Sequence, residues 1–142
     1  MDHSLQIDSN SLKIRSDVIA RQIREWGNVY ACLTERRELL LSDEIDNLTY
    51  PLCRRKQEEI INFLRALVKN REEIESLFRR ILELKALLMQ HDNILLLKKL
   101  LIDETFLLNL MRNVDEAKFR LLQYDNSLKR HEINLRIKRH ER

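Results

Sequence analysis

Apolar residues recur at a strict seven-residue interval through the middle of the chain: Ile60, Leu67, Ile74, Ile81, Leu88, Leu95 and Ile102. Seven residues make two turns of α-helix, so this row lies along one side of a helix, as the seam of a coiled coil does. Helix breakers are nearly absent, with one glycine (Gly27) and one proline (Pro51) among 142 residues. The pattern predicts an all-α fold, an antiparallel bundle of three long helices with coiled-coil-like packing. Such a chain has few loops on which to mount catalysis, so function is sought on helix faces and at the chain ends.

A flexible N-terminus is expected over residues 1–10 and a helical bundle over 11–124. The first helix, about residues 11–41, follows Ser9 or Ser11 as N-cap and carries Leu12, Ile19, Ile23, Trp26, Tyr30, Leu33 and Leu40 on one face. Gly27 lies inside it at a cost of about 1 kcal/mol relative to alanine; close helix packing is the usual reason to keep it, local flexibility the alternative. Ser42-Asp43-Glu44 reads as a break and restart, with Ser42 as cap and two acids in the new first turn. The second helix then covers about 43–69. Pro51 is too deep for its first turn, and either kinks it or marks a second start after Thr49-Tyr50.

Asn70-Arg71-Glu72-Glu73 fits a capping box, which predicts a tight hairpin near Asn70 in preference to one very long helix that must dimerise. The seven-residue repeat nevertheless crosses that point without a stutter. The third helix is expected over about 71–122, with room for a pause at His91-Asp92-Asn93. From Ile94 to Met111 apolar residues cover nearly its whole circumference. A helix apolar all round is either central in its own bundle or awaits a partner, and two other helices leave part of it exposed. Beyond Tyr124, the cluster Asp125-Asn126-Ser127 is turn-prone, and Ile133, Leu135 and Ile137 alternate like a short strand with nothing to pair with. Residues 125–142 therefore read as a basic, mobile tail.

Composition narrows the function. Charged residues make up 35% and aromatics 6%, a helical-bundle profile, and the net charge is only +3. Residues 128–142 hold six Lys and Arg against two Glu, a net +4, so the rest of the chain sums to −1. That tail is either a solubilising segment or a contact for an acidic partner; it lacks the aromatic platform or recognition helix of a nucleic-acid binder. Cys32 and Cys53 have no metal spacing, which suits a reducing compartment. The start Met1-Asp2-His3-Ser4 lacks signal-peptide character, and Lys98 and Lys99 interrupt the most apolar run, so a cytoplasmic chain without an integral membrane segment is expected. Phosphate loops, nucleophile elbows and Cys/His grids are missing, so no enzyme, metal, cofactor or small-molecule substrate is expected. His131 and His140 read as solvated, His91 as a partly buried seam residue, and the acidic pairs Asp43/Glu44, Glu58/Glu59, Glu72/Glu73 and Asp103/Glu104 as solvated helix faces.

The stretch Tyr30-Ala31-Cys32-Leu33-Thr34-Glu35-Arg36-Arg37-Glu38-Leu39-Leu40, the turn Ser42-Asp43-Glu44-Ile45, then Leu48 and Lys56-Gln57-Glu58-Glu59-Ile60-Ile61 resemble the FlgN family of flagellar export chaperones. Asn93-Ile94-Leu95-Leu96 and Phe106-Leu107-Leu108-Asn109-Leu110-Met111 are similar to the family's last helix, so the resemblance covers about residues 20–125. Pro51 and the basic tail depart from the family's pattern. The resemblance implies a cytosolic type III export chaperone that holds the C-terminal helical segments of hook-associated proteins, FlgK- and FlgL-like, and hands them to the export gate FlhA. It implies a client groove on the last helix, here Leu96, Leu97, Leu100, Leu101, Phe106, Leu107, Leu108 and Met111, and a gate contact at Tyr124. The rival expectations are a homodimeric coiled-coil scaffold joined along the Ile60–Ile102 seam, or a binder of nucleic acid, acidic lipid or acidic partners through the tail.

Overall fold

The computed structural model describes residues 9–140. They form three α-helices, α1 (Ser9–Leu40), α2 (Tyr50–Gln90) and α3 (Ile94–His140), with a short 3-10 turn at Ile45–Asn47 between the first two. The fold is the expected all-α three-helix bundle, and the described residues contain no strand. Two compact units divide it: one built from α1 up to Val29 with Glu72–Met111, the other from Tyr30–Arg71 with Arg112 onward. In the first, Asp17 pairs with Lys99 and Gly27 meets Phe106, so α1 and α3 run in the same direction. In the second, Arg71 pairs with Asp115 and Gln57 with Glu132, which sets α2 antiparallel to α3.

The start of α2 follows the second of the two readings of Pro51, and the boundaries further along depart from expectation, each for a local reason. α2 begins at Tyr50, where Thr49 accepts the first helical hydrogen bond from Cys53. Pro51 thus sits in the first turn, where its missing N–H would have had no partner anyway. Ser42 does not cap α2; its hydroxyl donates to the Leu39 carbonyl at the end of α1.

α2 then runs through Asn70 without a turn, since the capping-box residues there sit within an uninterrupted helix. The chain reverses instead at His91–Asn93. Asp92 adopts φ +53°, Asn93 N–H bonds back to the Leu88 carbonyl and Asp92 N–H to that of Met89, a Schellman ending. Asp tolerates this left-handed conformation better than most residues with a side chain. Asn93 next caps α3, its Oδ1 accepting from the Leu96 N–H at 3.3 Å. His91 therefore lies at the turn rather than within a continuous seam.

Residues 125–140 continue α3 as helix and do not form a separate tail. The alternation of Ile133, Leu135 and Ile137 resolves into two helix faces: Leu135 is partly covered while Ile133 and Ile137, four apart, are exposed. Residues 1–8 of the expected flexible N-terminus lie outside the described residues, whereas Ser9 and Asn10 are helical.

The core follows two seven-residue rows. On α2 these are Cys53, Ile60, Leu67, Ile74, Ile81 and Leu88, all buried; on α3 they are Leu100, Leu107, Val114, Leu121 and Leu128, also buried. Leu95 and Ile102, which continue the α2 interval in the sequence, are 83% and 70% exposed. The residues from Ile60 to Leu88 are consumed inside the bundle, which leaves no Ile60–Ile102 seam for a homodimer. Replacing Ile81 by alanine should cost about 2–5 kcal/mol, whereas Ile102→Ala should stay within about 0.5 kcal/mol. Urea unfolding of the two variants checks this; equal losses would mean that the repeat is continuous across His91–Asn93.

Candidate functional site

In the first unit, α3 covers α1 and α2 with one side, which the burial of Leu100 and Leu107 identifies. Leu100 and Leu107 are fully buried, so two of the eight expected groove residues belong to the core. Leu96, Leu97 and Met111 are half-buried. Leu101, Phe106 and Leu108 are exposed. The Phe106 ring rests on Gly27: a side-chain carbon built there would lie 3.4 Å from its tip, the close packing expected of that glycine.

What remains outward is a different set from the expected groove. Ile94, Leu101 and Leu108 stand seven apart on the side of α3 away from Leu100 and Leu107, with Leu95 and Ile102 beside them. Ile94, Leu95 and Ile102 were missed because a helix apolar on every side does not reveal its phase. Asn93 marks where the helix begins, but the phase that turns them outward is set by the burial of Leu100 and Leu107. Asp103 occupies a core-side position, and burial raises its carboxyl above the usual range despite Lys99 and Arg24 nearby.

The second unit holds a polar cluster that pins the α1–α2 connection. Lys56 donates to the Leu40 carbonyl, pairs with Asp43 at 2.9 Å and lies 5.6 Å from the Tyr124 ring centre. The Tyr124 hydroxyl donates to the Asp43 carbonyl at 2.9 Å, and burial raises its pKa. Tyr124 is thus half-buried and engaged with its own chain, with part of its ring left accessible. His131, expected to be solvated, has Nε2 2.9 Å from the Leu48 carbonyl.

Glu132 is buried and accepts from Gln57 at 2.7 Å, from Arg136 at 3.0 Å and from Arg54 at 3.5 Å. The Gln57 hydrogen bond, with the two guanidinium groups, holds its carboxyl below the usual range against the effect of burial. Cys53 is buried with its thiol pushed up by desolvation and by Glu132, an inert sulfur. An open cleft of about 460 Å³ adjoins the connection, lined by Arg36, Leu39, Leu40, Asp43, Leu48, Leu52, Arg55, Lys56, Glu59 and Phe63. Its walls are of mixed polarity, with Asp43, Lys56 and Glu59 beside the leucines and Phe63. Among the described residues no three His, Cys, Asp or Glu side chains converge as a metal site, and no helix is long and apolar enough to cross a membrane.

Comparison with protein-family models, with curated proteins and with solved structures gives no match.

Because its folded-state carboxyl is held below its unfolded value, Glu132 adds stability above the ordinary glutamate range and loses it as pH falls through the folded value. Glu132→Gln should cost about 1–3 kcal/mol at neutral pH. The gap between variant and native protein should close on acidification below that range. Urea unfolding across acid to neutral pH reads this; a gap that widens in acid would contradict the sign.

Proposed function

We propose that this chain is a binding module rather than an enzyme, an export chaperone of the flagellar type III kind, similar to FlgN. In this reading it holds the helix-prone C-terminal segments of FlgK- and FlgL-like hook-associated proteins in the cytoplasm and passes them to the export gate FlhA. The observation that carries the reading is the outward apolar face of α3: Ile94, Leu101 and Leu108 in a row, flanked by Leu95 and Ile102. The bundle core does not use these side chains, and an amphipathic client helix would bury its apolar side on them.

The client site is accordingly narrowed from the expected groove. Leu100 and Leu107 hold the bundle and make no client contact, Leu101, Leu108 and the edge of Phe106 do, and Ile94, Leu95 and Ile102 join them. A client that orders only on binding forfeits part of the interaction energy, which keeps affinity moderate and release feasible. Tyr124 meets the gate through the accessible part of its ring, its hydroxyl remaining on the Asp43 carbonyl.

The doubly substituted Leu101→Asp/Leu108→Asp protein tests the reading. Both positions are exposed, so the bundle should keep its helicity and unfolding midpoint. Gel filtration with light scattering should show a one-to-one complex of the native chain with FlgK- or FlgL-like C-terminal segments, and none with the variant. Undiminished binding by the folded variant would remove the face from consideration; absence of binding by the native chain would remove the chaperone function itself.

A further inference from the structure

We infer that the last turns of α3 form a peripheral docking surface for an anionic lipid bilayer. Ile133 and Ile137 lie four apart on the outer side of the helix, 54% and 50% exposed, while Leu128 and Glu132 on its inner side are buried. The 3.6-residue period puts Lys129 and Arg136 on one flank of the two isoleucines and Arg130 and Lys138 on the other. Lys129 and Arg136 are tied by i,i+4 ion pairs to the buried Asp125 and Glu132, which aims them along the flank while leaving more than half of each side chain exposed. Arg130 and Lys138 pair with no carboxylate among the described residues. From Asn126 to Arg139 the only carboxylate is Glu132, and it is buried; the one carboxylate brought to this surface from elsewhere among the recess-lining residues is Asp46, beside Ile137 and Lys138, so cations outnumber acids there.

An apolar line with cations on both flanks is the chemistry of an interfacial helix, whose side chains enter the acyl boundary while Lys and Arg meet lipid phosphates. Shape favours a bilayer over an acidic protein helix. Ile133 stands on the crest of one helix, which meets a plane, and Ile137 borders a recess beside Asp46 and Lys138, whereas a partner helix seats in a groove between two helices. Nucleic acid would use the cations and leave the isoleucines in water. Since no described helix is able to cross a membrane, the attachment is to the surface. The inference is independent of the chaperone reading, because a chain that binds no client would still partition onto lipid.

Flotation of the full chain with vesicles of phosphatidylcholine alone, or of equimolar phosphatidylcholine and phosphatidylglycerol, tests it. The expected result is binding to the anionic vesicles only, weakened by salt. Arg130→Gln/Lys138→Gln should weaken it by roughly fivefold per charge. Ile133→Ser/Ile137→Ser should weaken it by about tenfold or more. All four sites are exposed, and circular dichroism verifies that both variants stay helical. Equal binding to neutral vesicles, indifference to either pair of substitutions, or tighter binding to a duplex oligonucleotide that ignores the isoleucines would overturn the proposal.

Discussion

The phase at which α2 hands over to α3 decides which side chains this bundle uses and which it leaves over. Each helix keeps its own seven-residue core row, but the rows are out of step: Leu88 is the last of one and Leu100 begins the other, twelve residues on rather than fourteen. The two-residue shift arises at His91–Asn93, where Asp92 takes the left-handed conformation and Asn93 restarts the helix. Leu95 and Ile102 keep the old spacing and so turn outward. In a straight continuation they would have been core, and Leu100 and Leu107 surface.

Below that turn the two units solve the same packing problem with different chemistry. In the first, the α2 and α3 core rows are leucine and isoleucine, with Ser16 and the half-buried Asp103 as intrusions. The second places Arg37, Lys56, Asp125 and Glu132 in its interior. Burying charge is costly unless it is paired and hydrogen-bonded, and such groups contribute more to specifying one arrangement than to net stability. Here the specificity has a visible object: Lys56, Tyr124 and His131 hold backbone carbonyls of the connection between α1 and α2. A purely apolar interior at this end would leave those carbonyls to water and the connection free to slide.

The fold class was legible because a seven-residue period over five or more repeats, with almost no Gly or Pro, has few other solutions. Pro51 was legible as a boundary for the same steric reason that puts it in a first turn. The turn at Asp92 was legible only as a pause, since its left-handed residue is an aspartate instead of the usual glycine and the apolar interval happens to run through it. Asn70 misled in the opposite direction: a capping-box sequence inside a helix whose neighbours at Leu67 and Ile74 are both buried has no reason to open. The outward face of α3 was only half legible. Its existence follows from an all-round apolar stretch, but its membership depends on a phase fixed by tertiary packing. The polar cluster escaped notice because Lys56, Gln57 and Glu132 look like ordinary surface residues until 75 positions of chain bring Gln57 to Glu132.

Apolar side chains are exposed on all three helices, but their arrangement differs. On α1 exposed residues such as Ile14 and Val29 stand apart, as single apolar residues commonly do on protein surfaces, while on α2 Ile61, Val68, Leu82 and Met89 fall on one seven-residue interval that Glu75 interrupts. On α3 they fall into rows that keep helical register, Ile94–Leu101–Leu108 in one unit and Ile133–Ile137 in the other. Register costs solubility without adding to the core, so a row calls for something to lie along it. The two rows on α3 are bordered differently: Ile94–Leu108 by Leu95 and Ile102 with the exposed Lys98 between them, Ile133–Ile137 by Lys129, Arg130, Arg136 and Lys138. A largely aliphatic border suits the apolar side of a helix, while a border of four cations favours a surface that stays wet and negative. One helix therefore carries two faces that differ in the proportion of apolar to cationic side chains.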